Sequence, residues 1–79
     1  MGAFQLRILF TSDDVQINAA AEVLAAHTGK SRDVTLEAIH NVMDGELRIF
    51  EFPDEAAAQA CAEIVERLGL VTKVTPKRS

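Results

Sequence analysis

The stretch from Asp33 to Glu51, centred on Met43-Asp44-Gly45-Glu46, constrains the fold of this 79-residue chain more than any other. Read as a helix that stops at Gly45, it gives the order β-α-α-β-α-β. Read as two strands joined at an Asp-Gly turn, a strong hairpin signal between apolar flanks, it gives β-α-β-β-α-β. For the helix, Leu36, Ile39, His40 and Met43 recur at helical spacing, Ser31 or Asp33 can cap the start, and Gly45 can cap the end. For the strand, Val34, Leu36, Ala38 and Val42 alternate acceptably. Glu37 and Ala38 are poor strand formers, and Gly29 to Asp33 resembles a helix–helix connection. The helix is therefore the reading adopted.

The flanking elements are clearer. Phe4, Leu6, Ile8 and Phe10 alternate with Gln5, Arg7 and Leu9, the period of a half-buried strand with the first set inward. Thr11-Ser12-Asp13-Asp14 ends it and offers side-chain oxygens as helix N-caps. Between Val15 and His27, the residues Ile17, Ala20, Ala21, Leu24 and Ala25 form a helical stripe, stopped by Thr28-Gly29. Leu47 to Phe52 reads as a strand. Pro53-Asp54-Glu55 opens a helix whose apolar stripe is Ala57, Ala60, Cys61, Ile64, Val65 and Leu68, with Gly69 as its end. Leu70 to Val74 is the last strand. The predicted fold is thus a single α+β domain over residues 1–75, a two-layer sandwich with a three-stranded antiparallel sheet, followed by a basic tail over 76–79. The ferredoxin-like order is the alternative.

Charge and composition narrow the function. Twelve acidic against eight basic residues give a net charge of −4, which disfavours binding to a polyanion, so no nucleic-acid partner is expected. No run approaches the roughly twenty apolar residues that span a bilayer, and the first ten lack a signal peptide's basic start and apolar core. The lone Cys61 cannot form an internal disulfide and fits a reducing, cytoplasmic setting. Its place within an apolar stripe marks a core thiol rather than a nucleophile.

Few residues suggest chemistry. Gly29-Lys30-Ser31 matches only the end of a phosphate-binding loop; Leu occupies position 24, where that loop needs glycine. No convergent set of carboxylates and thiols surrounds His27 or His40, since at helical spacing only Glu37 and Asp44 flank His40 and none flanks His27, so no metal or cofactor is expected. His27 is expected to be exposed near a helix end, and His40 to be a core-edge residue or a pocket donor. Asp13-Asp14 reads first as a cap. On the sheet, the face away from the helices would carry Leu9, Leu47, Ile49 and Val71, a possible contact surface for a partner or a second copy, with Arg48 turned inward near a strand end.

The residue order resembles the ClpS adaptor family and, more distantly, the C-terminal domain of the bacterial ribosomal stalk protein. Arg7-Ile8-Leu9-Phe10-Thr11-Ser12-Asp13-Asp14 is similar to the first ClpS strand and its Asn-Asp-Asp corner, with Ser12 in place of Asn. Phe52-Pro53-Asp54-Glu55-Ala56-Ala57 is similar to the junction before the third helix. The resemblance implies a non-enzymatic adaptor, monomeric or weakly dimeric, that binds a protein or peptide partner. It assigns α-amino recognition to Ser12, Asp13, Asp14 and His40. A second resemblance, to the ACT domain, rests on Asp44-Gly45-Glu46-Leu47-Arg48-Ile49-Phe50 and on Pro53 to Ala57. It implies a dimer that senses an amino acid.

Overall fold

The computed structural model describes residues 3–76. Its elements are β1 (Phe4–Thr11), α1 (Ile17–Thr28), α2 (Arg32–Met43), β2 (Arg48–Phe52), α3 (Glu55–Arg67) and β3 (Leu70–Pro76). Residues 32–43 are helical, so the β-α-α-β-α-β order holds. The alternative order, and the central hairpin on which the ACT resemblance depended, do not form. The local causes are visible. Ser31 caps α2 by accepting from Val34 N–H at 3.3 Å, and Gly45, at φ +99°, continues from the helix end with its N–H donating to Val42 C=O at 3.0 Å. Asp-Gly here closes a helix instead of turning a hairpin.

The three strands form one antiparallel sheet in the order β2-β1-β3, so the first strand is central and the other two are edges. Leu6 and Ile8 of β1, Phe50 and Phe52 of β2, and Leu70 of β3 are buried on its inner face. The helices supply Ala20, Ala21 and Leu24 from α1, Ala38, Ile39 and Val42 from α2, and Ala58, Cys61, Ala62 and Val65 from α3. α1 packs mainly against α2 and α3, and its alanines permit that close approach. Thr35 of α2 is fully buried, and its hydroxyl donates to Ala21 C=O at 2.8 Å, fastening α2 to α1. An unpaired hydroxyl there would cost about 1–3 kcal/mol.

Four expectations need correction. The β1–β3 register shifts between Ile8 and Phe10, a bulge that adds one residue to the central strand. Phe10 therefore faces Val71 on the outer surface at 57 % exposure, instead of pointing inward. The buried stripe of α3 runs through Ala58 and Ala62, while Ala60 and Ile64 are exposed; neighbouring faces of this alanine-rich helix are both apolar, and the sheet selects one. α1 begins at Ile17 with Gln16 as N-cap and no side-chain cap, so Ser12, Asp13 and Asp14 do not cap it. β3 extends through Pro76, and the basic residues Lys77 and Arg78 lie outside the described residues.

Candidate functional site

The corner after β1 is built by long-range contacts. Ser12 N–H donates to Gly69 C=O and Gln16 N–H to Leu68 C=O, each at 2.7 Å, tying the 12–16 loop to the end of α3. Within the loop the Ser12 hydroxyl donates to Asp14 Oδ1 at 2.9 Å, while Asp13 is exposed. Gly69, at φ +108°, makes this approach possible: a Cβ there would stand 2.6 Å from Val15 Cα and 2.7 Å from Ser12 Oγ. The structure thus brings Ser12 and Asp14 together. His40 is exposed in the last turn of α2, and among the described residues no hydrogen bond joins it to that corner. His27 is likewise exposed.

A groove of about 350 Å³ runs between α2 and the edge strand β2. Ala38 and Phe50 form its buried floor, and Val34, Leu47 and Ile49 wall it, with Lys30 and Arg48 at its polar margin. The three wall residues are large apolar side chains left 43–50 % exposed. β2 has a strand neighbour on one side only, so its other side is an edge of the sheet, the place where an extended peptide can add as a further strand. The sequence placed Leu47 and Ile49 on the sheet face away from the helices, not in a groove beside α2, and missed Val34 and Lys30. Only the packing of α2 beside β2 aligns the helix residues with the strand.

On the open face of the sheet, Leu9 is 39 % exposed, Phe10 joins it, and Val71 is half-buried opposite Phe10. Arg48 pairs with Ile8, whose side chain is buried, and so lies on the inner side near the start of β2. Cys61 is buried in α3, where burial pushes its thiol up to about 11, away from reactivity at neutral pH. Among the described residues no group of three or more His, Cys, Asp or Glu is placed to hold a metal ion, and no helix is long and apolar enough to cross a membrane.

Comparison with known proteins finds no matching family model, no significant match among curated proteins, and no significant match among solved structures.

Proposed function

We propose that this chain is a non-enzymatic peptide- or protein-binding module that holds an extended segment of its partner in the groove between α2 and β2. The observation that carries the reading is the coincidence of an apolar floor, three exposed apolar walls and an edge strand of the sheet. Main-chain pairing to the edge supplies affinity without sequence preference, and the pocket selects apolar side chains. Lys30 and Arg48 favour a segment that carries an acidic residue beside its apolar ones. The resemblance to adaptors supports the same class of task. The exposed Asp13, held in a loop fixed to α3, supports an additional role for that corner in receiving an amino group.

The test is selection of peptides from a random displayed library, followed by titration of the best into isotope-labelled protein. The expected result is saturable shifts at Val34, Ala38 and Leu47 to Phe50, lost in Val34→Glu. That substitution is at an exposed helix position and leaves the core intact. Failure to select any saturable binder, or shifts confined to other surfaces, would overturn the reading.

A further inference from the structure

The open face of the sheet carries a second arrangement, which meets the groove at Ile49, the partner of Arg7 on β2. Strand register sets Gln5 opposite Thr75 and Arg7 opposite Lys73. These four side chains alternate with the buried Leu6 and Ile8, so they occupy a two-by-two block on the outer face. Opposed partners in such a block stand about 5 Å apart, and successive ones on a strand about 7 Å apart. Gln5, Arg7, Thr75 and Pro76 line a cleft of about 410 Å³, a volume within the range of roughly 300–1,000 Å³ for small-ligand sites.

Two observations separate this block from an ordinary solvated surface. Arg7 Nε and Thr75 Oγ1 are buried and have no hydrogen-bond partner, and they are the two such side-chain atoms among the described residues. Buried polar atoms are nearly always satisfied, so two orphans on one cleft call for a group that satisfies them. The second observation is electrostatic. Like charges directly opposite on neighbouring strands are unfavourable, yet Arg7 faces Lys73. The chain is acidic overall, and still no ion pair joins either cation to an acid among the described residues. Glu51, opposite Gln5 on β2, borders the block.

We propose that Gln5, Arg7, Lys73 and Thr75 form a binding site for a dianionic phosphate group. Two adjacent cations match a charge of about −1.5 to −2 better than they match a single carboxylate. Rotation of the two side chains brings the buried Arg7 Nε–H and Thr75 hydroxyl to the cleft, where the Arg7 fork donates to two phosphate oxygens and the Thr75 hydroxyl and Gln5 amide donate to the others. Lys73 contributes charge from the edge strand.

The test is a backbone-amide titration at constant ionic strength and pH 7.5 with inorganic phosphate, glycerol 3-phosphate and acetate. Saturable shifts at Gln5, Arg7, Lys73 and Thr75 are expected with the phosphates and not with acetate. Tighter binding of inorganic phosphate identifies the free ion as the ligand, and tighter binding of the ester identifies a phosphate monoester. Arg7→Gln and Lys73→Gln should each weaken binding about tenfold, the loss of one charge-assisted contact. Lys73 is exposed, so its variant stays informative if Arg7→Gln fails to fold. Thr75→Val keeps charge and volume, so weakening there separates a built site from a diffuse cationic surface. Equal shifts with acetate, or a Thr75→Val curve that overlays the parent's, would overturn the site.

Discussion

Replacing Gly69 with alanine should destabilise the fold well beyond the general cost of a left-handed alanine, and Gly45→Ala provides the measure of that general cost. Both glycines have φ near +100°, where an L side chain costs about 1–3 kcal/mol. Both substitutions remove the same unfolded-state freedom, so that effect cancels in the comparison. They differ in surroundings. At Gly45 a new Cβ meets nothing within 4 Å, whereas at Gly69 it meets Val15 Cα at 2.6 Å. Carbon atoms rest about 3.5–4.0 Å apart, so the 12–16 loop must retreat by about 1 Å. That movement stretches the hydrogen bonds Ser12 N–H to Gly69 C=O and Gln16 N–H to Leu68 C=O, both 2.7 Å, past useful geometry. Each contributes about 0.5–1.5 kcal/mol. Gly69→Ala is therefore expected to cost about 1–3 kcal/mol more than Gly45→Ala. This is a large share of the roughly 4–12 kcal/mol available to a domain of this size. Urea unfolding with a slope of about 1 kcal/mol per molar should separate the two midpoints by about 1–3 M. Coincident midpoints would show that the contact between the loop and the end of α3 carries no energy, and the reasoning would fail.

Other substitutions report on single groups. Thr35→Val keeps the buried volume and removes the bond to Ala21 C=O, so it should cost about 0.5–1.5 kcal/mol in urea unfolding; an unchanged midpoint would show that the helix–helix bond is dispensable. Thr75→Val removes a buried hydroxyl without a partner and should raise stability by about 1 kcal/mol in the absence of phosphate, read as an upward shift in Tm. A drop in Tm would indicate that the hydroxyl is already satisfied. For Cys61, burial raises the thiol from 9.0 to about 11, so the folded state keeps its proton over a range in which the unfolded state loses it. That stabilisation is complete below pH 9 and is lost as pH rises through 11, a fall of about 2–3 kcal/mol. Cys61→Ala should be less stable at pH 8 and show a shallower decline to pH 11. Parallel pH profiles would contradict the shift.

The helices were legible where local chemistry decides them. Ser31 and Gly45 bracket α2 in the sequence as in the structure, and Asp54 caps α3 by accepting from Ala57 N–H at 2.8 Å, just after the proline that signalled a start. What escaped the sequence depends on partners far along the chain. The bulge at Leu9 could not be read because Leu9 and Phe10 are both apolar, so a slip of one residue leaves no trace in the hydrophobic pattern. Nothing in the sequence singles out Thr35, since its partner lies on α1. Ser12 and Asp14 looked like caps because the bonds that hold their loop come from Leu68 and Gly69. The candidate surfaces divide in the same way. Leu47 and Ile49 could be found by alternation, whereas Val34 and Lys30 join them only through the packing of α2, and the Arg7–Lys73 block emerges only once β1 and β3 are in register.

The strand order also sets the sheet against the direction of synthesis. β1 is translated before both of its neighbours in the sheet, yet it occupies the centre and needs β3, which follows β2, along its whole length from Phe4 opposite Pro76 to Thr11 opposite Leu70. Until β3 emerges, β1 has only the five-residue β2 as a neighbour, and a two-stranded ribbon is marginal in water. Until β3 is made, the nascent domain must carry Leu6 and Ile8 incompletely covered. Its acquisition of structure is concentrated in one late event, and its exposure to chaperones and proteases is concentrated in the interval before it.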